Sequence, residues 1–248
     1  MEMIKLPSPY QVRTALRLTN FLDRHPRLVR NFLRPMANAP LLRRYLWVGI
    51  RGFMGASAFD CHVIDAEEGV VDFGGVKETF YPSCMTTIMW EILSSEIGEE
   101  KAMEMIRKIA REAVYMEIKF GIEGHWFPKR FLAFAGDPSA LDAVRSDPDL
   151  LRLVSKGLNL TNRFIHDEGG YGRIEVDLAS DPIRVTITNS LTARLAGRSD
   201  RPVCAASCGM IEGAMSYMLG KNFRAREVEC AAMGARRCSF ELAEECPS

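Results

Sequence analysis

The sequence predicts an α+β fold in which a mostly antiparallel sheet packs with helices, and three patterns carry that prediction. Residues 99–120 place apolar side chains three or four positions apart with Lys and Glu between them, which indicates an amphipathic helix. Residues 173–188 alternate apolar and polar side chains on either side of Asp181-Pro182, which predicts two antiparallel strands. Residues 203–219 predict a helix whose many small residues allow another backbone to approach closely.

The remaining elements follow from periodicity and from turn residues. Helices are predicted over 10–34 with an interruption at Pro26, over 83–94, and over 140–156 with a break near Pro148 and an end at Gly157, after which strands are expected. Short strands or a hairpin are predicted within 61–80, and two more short strands within 224–230 and 238–242.

The composition is that of an ordinary globular protein. Of the 248 residues, 47% are hydrophobic and 26% are charged, which excludes a disordered or collagen-like chain. No apolar run approaches the roughly 20 residues that a membrane-spanning helix needs, and the amino terminus lacks the pattern of a secretory signal. We therefore expect a cytoplasmic protein whose seven cysteines serve as thiols or metal ligands and not as a disulfide framework.

Charge is distributed unevenly along the chain. The formal net charge is zero, so we expect no nucleic-acid partner, but residues 1–60 contain ten basic and three acidic residues, a net charge of +7. We interpret residues 1–60 as a basic helical extension that forms a homodimer interface. Two alternatives stay open, a segment packed on its own acidic body and a segment that contacts a membrane surface. The apolar residues at helical spacing in this extension are Leu16, Phe21, Leu22, Val29, Phe32 and Leu33.

Residues with metal-ligand chemistry are concentrated near the carboxyl end. Cys204 starts a predicted helix, Glu227 and Cys230 end a strand, and Cys238 follows a seven-residue connection. Thiolate sulfur suits Zn²⁺, and a carboxylate can complete a tetrahedron, but free cysteines are also common as small buried hydrophobes. Cys208 lies on the same helix face as Cys204, so a four-cysteine site without Glu227 is a third interpretation.

The pattern C-x22-E-x2-C-x7-C, followed by an alternating strand, resembles the 4-vinyl reductase (hydrocarbon-binding) domain family. The likeness is greatest to the aromatic-sensing domains of phenol- and xylene-responsive transcription activators. Flanking sequences that carry it are Asn189-Ser190, Pro202-Val203-Cys204 and Met218-Leu219-Gly220-Lys221. The resemblance is specific over about 183–243 and weaker from about residue 65. It implies, for residues 61–248, a small-molecule-binding domain whose α+β fold is shared with vesicle-tethering subunits.

The resemblance also implies a site. Metal-bearing members of the family hold zinc with three cysteines and one glutamate at this spacing, which assigns Cys204, Glu227, Cys230 and Cys238 to a structural zinc site with no open position. An apolar pocket for a small hydrophobic or aromatic molecule is expected between the long helix, the aromatic stretch 120–134 and strands 173–188. The predicted ligand-binding residues are Met116, Phe120, His125, Trp126, Phe131, Phe134 and Ile187.

The expected function is that of a zinc-stabilised binding domain that senses or carries such a molecule. Ile187 stands near a position where the sensors have a pocket tryptophan, so a phenol should not be held in the same way. Two alternatives stay open: a reductase or accessory factor in tetrapyrrole (bacteriochlorophyll) biosynthesis, and a membrane-associated scaffold or tethering protein. An enzyme is less expected, because no Gly-rich dinucleotide motif follows a strand. No ATPase or helix-turn-helix module follows before Ser248, so we do not expect a complete transcription activator.

Overall fold

The computed structural model describes residues 6–43, 45–78, 84–124, 126–127 and 135–245. Helices pack with two antiparallel sheets, which confirms the predicted α+β class. Among the helices of these residues, none combines the length and the apolar character needed to cross a membrane.

The N-terminal segment, residues 6–61, is helical and packs on the rest of the chain. Its helices are α1 (Pro9–Arg24), α2 (Pro26–Leu28), α3 (Arg34–Asn38), α4 (Pro40–Arg43), α5 (Val48–Phe53) and α6 (Ala58–Cys61), with a π-helical turn at Val29–Leu33. Helix α1 begins after Ser8, whose hydroxyl caps the backbone N–H of Gln11, and ends before Pro26 as predicted. Leu16 of α1 is buried against Val144 and Leu150.

A three-stranded sheet follows, formed by β1 (His62–Asp65), β2 (Val70–Phe73) and β3 (Val76–Glu78) in that order. Its residue Phe73 shares a core with Val48 of α5 and with Trp126. The indole N–H of Trp126 donates to the Phe73 carbonyl at 2.8 Å. The N-terminal segment therefore contributes to the same core as residues beyond 61, and the predicted boundary at residue 60 stays a prediction.

Two long helices, α7 (Cys84–Ile97) and α8 (Glu99–Glu123), form a helical hairpin. Next come α9 (Ala140–Ser146) and α10 (Pro148–Asn162), and α10 continues into a π-helical turn at Arg163–Asp167. The predicted helix end at Gly157 is wrong. A glycine inside a helix costs only about 1 kcal/mol, and Val154 and Leu158 on either side of it pack against the main core.

The rest of the chain forms a second sheet and two helices. The elements are β4 (Arg173–Asp177), β5 (Ile183–Thr188), α11 (Leu191–Ala196), α12 (Ala205–Leu219), β6 (Phe223–Glu229) and β7 (Cys238–Glu244). The four strands are antiparallel in the order β4-β5-β7-β6, so β5 and β7 lie in the centre and β4 and β6 form the two edges. The predicted hairpin is confirmed, because β4 pairs with β5 in a register that places Ile174 opposite Ile187.

Helix α12 lies between this sheet and α8. Its Ile211 and Met215 join Val185 and Phe240 in the main core. On the α8 side, a Cβ atom added at Gly213 would lie 2.2 Å from the carbonyl oxygen of Arg111. Gly209 makes the same kind of approach to Arg107, so the small residues of α12 allow two helix backbones to touch, as the sequence predicted.

Candidate functional site

Four side chains with metal-ligand chemistry meet between α12 and the second sheet. One ligand atom from each of Cys204, Glu227, Cys230 and Cys238 lies within 4.8 Å of the others. Cys204 is the N-terminal cap of α12, Glu227 lies on β6, Cys230 follows that strand, and Cys238 begins β7. A β-bulge between Glu227 and Glu229 interrupts the pairing with β7, and bulges of this kind redirect side chains.

Hydrogen bonds hold the cluster in place. The backbone N–H of Cys204 donates to Glu227 Oε2 at 3.0 Å, and the N–H of Ala231 donates to Cys238 Sγ at 3.3 Å. The sulfur atoms of Cys204 and Cys238 are 3.5 Å apart, and both side chains are completely buried. This contact raises the pKa of Cys204 and lowers the pKa of Cys238 to about 7, so the two sulfurs readily share one proton.

The donor set fits a metal ion. Glu227 Oε1 is buried, and the described residues offer it no hydrogen-bond partner. A buried carboxylate oxygen without a partner is costly, and a cation at the centre of the cluster would satisfy it. Three sulfurs and one carboxylate can hold a metal ion in a closed four-ligand site, which is the structural and not the catalytic type.

Cys208, the rival ligand, lies outside this cluster. It is one helical turn beyond Cys204 and is buried, which raises the pKa of its thiol to about 12. The ligand atoms that come together in the described part of the chain include Glu227 and not Cys208. The geometry therefore favours the three-cysteine, one-glutamate set.

The predicted ligand-binding residues occupy different surroundings. Trp126 and Ile187 are both buried, but they belong to two separate core clusters. Met116 and Phe120 lie on α8 with 39% and 49% of their surfaces exposed. His125, Phe131 and Phe134 lie outside the described residues. That these seven positions line one pocket therefore stays a prediction.

A small hollow lies beside Trp126. Its volume is about 10 Å³, enough for a single water molecule. Phe127 fills the space above Gly49, where an added Cβ would come within 1.9 Å of the Phe127 ring. A larger occupant would require side chains to move. The hollow is lined by Val48, Gly49, Gly52, Phe53, Trp126, Phe127, Leu160 and Thr161.

Sequence reasoning missed two polar side chains on the continuation of α10. Asn162 Nδ2 and His166 Nδ1 are buried and have no hydrogen-bond partner among the described residues. Burial lowers the pKa of His166 to about 4, so its ring is neutral at pH 7. The sequence signal was their spacing of four residues, which on a helical segment places both on one face. The predicted helix end at Gly157 hid that signal.

The comparisons with known proteins agree with this architecture. Residues 183–244, which run from β5 to the end of β7, match the family model of the 4-vinyl reductase domain. This match contains all four clustered ligands and confirms the predicted family resemblance over about a quarter of the chain. A comparison with curated protein sequences finds no match.

Two solved structures are similar to this chain. The phenol-responsive sensory domain of the transcription activator PoxR, determined with phenol, has a TM-score of 0.50 and 17% identity, and the match covers 75% of this chain and 86% of that chain. A vinyl-4-reductase family protein from Methanocaldococcus jannaschii has a TM-score of 0.38 and 14% identity, with 68% and 85% covered. The first of these shows that the chain shares the fold of a sensory domain. The predicted likeness to vesicle-tethering subunits stays a prediction.

Proposed function

We propose that this protein binds a small hydrophobic or aromatic molecule as a sensor or carrier, and that a structural zinc ion stabilises the domain. The match to the 4-vinyl reductase domain and the fold shared with a phenol-responsive sensory domain support the class of function. The observation that carries the proposal is the pair of buried, unpartnered polar atoms on Asn162 and His166. A bound molecule with a hydroxyl or carbonyl group would supply the missing hydrogen bond.

The choice of polar group follows from Ile187. This side chain is buried in the main core and can donate no hydrogen bond. A ligand that needs orientation must therefore be contacted by other residues, and a neutral His166 can donate or accept. Apolar lining with a few polar groups is the usual composition of such sites.

Binding can be tested with phenol and toluene, which differ by a hydroxyl against a methyl group. Isothermal titration should give tighter binding of phenol, and His166→Phe should weaken phenol by roughly 10-fold while changing toluene by less than about 3-fold. The matched control is His25→Phe, because His25 is an exposed histidine at the end of α1. Equal losses for both probes, or no binding of either by the parent protein, would contradict this role for His166.

The nature of the natural ligand is best approached through the purified protein. Native mass spectrometry reports bound metal, ligand mass and oligomeric state in one measurement. We expect one zinc ion per chain and a co-purifying molecule that organic extraction releases. A protein of apo mass, together with no thermal stabilisation by any apolar probe, would count against a binding function.

We also propose that the protein is a homodimer built with the N-terminal segment. Leu16 is buried in its own chain, but Phe21 and Phe32 keep 46% and 64% of their surfaces exposed. Exposed aromatic residues on a basic segment are suited to an interface with a second copy, whose body is acidic. Light scattering should show a dimer that Phe21→Ser with Phe32→Ser converts to monomer. A monomeric parent protein at micromolar concentration would refute the dimer.

A further inference from the structure

An open groove of about 500 Å³ lies next to the metal-ligand cluster. One wall contains Asn189, Ser190 and the end of α11, and the other is the loop that connects Cys230 to Cys238. The two walls are joined where the N–H of Ser199 donates to the Ala232 carbonyl at 2.9 Å. The groove is therefore a fixed concave surface between two connected loops, and its size falls in the range of small-molecule sites.

Three arginines line this groove: Arg194, Arg198 and Arg236. Arg194 donates to a backbone carbonyl, that of Gly170, at 3.3 Å. Within the described ranges, neither Arg198 nor Arg236 has an ion-pair or hydrogen-bond partner.

Neighbouring arginines behave differently. Four others between residues 201 and 237 each face a carboxylate within 4.0 Å, so the chain supplies counter-charges for them. The contrast shows that cations lacking a carboxylate partner are collected at one place. The paired residues are Arg201 with Glu99, Arg224 with Glu104, Arg226 with Glu241, and Arg237 with Glu229.

We infer that this groove binds a phosphate-bearing small molecule. Guanidinium groups offer planar pairs of N–H donors that match phosphate oxygens, and three of them suit an anion with two or more negative charges. The groove has room for a group larger than phosphate itself, up to about the size of a nucleotide. The site is separate from the proposed hydrophobic ligand and does not depend on it.

Occupation of the groove would be coupled to the metal cluster. The wall formed by Ala231–Arg236 connects two metal-ligand candidates, Cys230 and Cys238, and Ser190 on the other wall lies 3.8 Å from Cys204 Sγ. An anion that bridges both walls restricts the loop that must open before a metal ion can leave. By linkage, an anion that favours the closed loop slows removal of the metal by a chelator.

The test uses the full chain with inorganic phosphate, pyrophosphate and ATP as probes, with citrate as a carboxylate comparison and chloride at matched ionic strength. Thermal shift and isothermal titration measure binding, and a colorimetric chelator measures metal release. We expect pyrophosphate and ATP to raise the melting temperature and to slow metal release at least 3-fold. Chloride should do neither.

The variant is Arg194→Gln with Arg198→Gln and Arg236→Gln, which should weaken pyrophosphate binding at least 10-fold. Its matched control removes the same charge from α1, with Arg13→Gln, Arg17→Gln and Arg24→Gln, all exposed positions. If the triple variant does not fold, Arg198→Gln alone should still weaken binding about 3-fold or more. Equal affinity of the parent and groove variants, equal losses in the control, or binding of citrate alone would each overturn the proposal.

Discussion

The guanidinium of Arg107 on α8 donates two hydrogen bonds to the carboxylate of Glu212 on α12, whose side chain is completely buried. The same carboxylate accepts a hydrogen bond from the Ala225 N–H of β6 at 2.7 Å, and Arg107 also donates to the Ala225 carbonyl. Burial opposes the charge of Arg107, but the Glu212 carboxylate raises its pKa, and the pair stays ionised. One ion pair thus connects two helices and an edge strand at the level where glycines bring the helices together.

Removal of one member of this pair should be strongly destabilising. Arg107→Met leaves the Glu212 carboxylate buried without its cation, and we expect the free energy of unfolding to fall by about 3–5 kcal/mol. The double variant Arg107→Met with Glu212→Leu should recover much of that loss, because no uncompensated charge remains. Urea unfolding of the three proteins measures both values. A single variant as stable as the parent protein would contradict the assigned role of the ion pair.

The metal cluster predicts different outcomes for two buried cysteines. Cys230→Ser should lose the bound metal and about 4 kcal/mol or more of stability, because ligands from a helix and two strands come together around the ion. Cys208→Ser should keep the metal, since its sulfur lies outside the cluster. Elemental analysis of the two purified variants decides between these outcomes. Full metal occupancy in Cys230→Ser, or its loss in Cys208→Ser, would require a different ligand set.

Stability should depend on pH through His166. The unfolded chain binds a proton at His166 below about pH 6.5, whereas burial lowers the pKa of the folded state to about 4. The contribution is therefore fully present above pH 6.5 and is lost as the pH falls from 6.5 towards 4, by up to about 3 kcal/mol.

Comparison with His166→Phe isolates this histidine from the other groups that titrate between pH 4 and 6.5. The difference in unfolding free energy between parent and variant should change with pH across this window, and parallel curves would show that His166 does not titrate as its burial implies.

Two helical glycines should respond to alanine in opposite directions. Gly213→Ala places a methyl group 2.2 Å from the Arg111 carbonyl oxygen and should force α8 and α12 apart, at a cost of about 2 kcal/mol or more. Gly157→Ala enters open space inside α10 and should stabilise the protein by about 0.5–1 kcal/mol. Thermal unfolding measures both changes. Similar effects of the two substitutions would contradict the close helix contact.

Local patterns were enough to predict most of the elements. Alternation over 173–188 predicted the β4-β5 hairpin, and the small residues of 203–219 predicted a close helix contact. Their arrangement in space was less accessible to local reasoning. The partners of Arg107 on α12 and β6 lie more than 100 residues along the chain, and their pairing depends on how the helices pack. A single Glu inside an otherwise apolar helix was the available signal for a buried ion pair.

The metal cluster and the ligand site differ in how far the sequence could define them. The spacing of Cys204, Glu227, Cys230 and Cys238, together with a family resemblance, predicted four side chains that the structure brings together. The ligand residues were inferred from the abundance of Met and aromatic residues. Side chains that pack a core have the same composition as those that line an apolar pocket, so Trp126 could not be assigned to one or the other.

The four-stranded sheet ends in two strands whose outer backbone groups have no neighbouring strand in the described structure. Both carry charges at close intervals: β4 exposes Arg173, Glu175 and Asp177, and β6 contains Arg224, Arg226, Glu227 and Glu229. Such residues hinder the addition of a further strand, which is how many proteins avoid edge-to-edge aggregation. Copies of this protein should therefore associate through side chains of their helices, and a continuous intermolecular sheet is not expected even at high concentration.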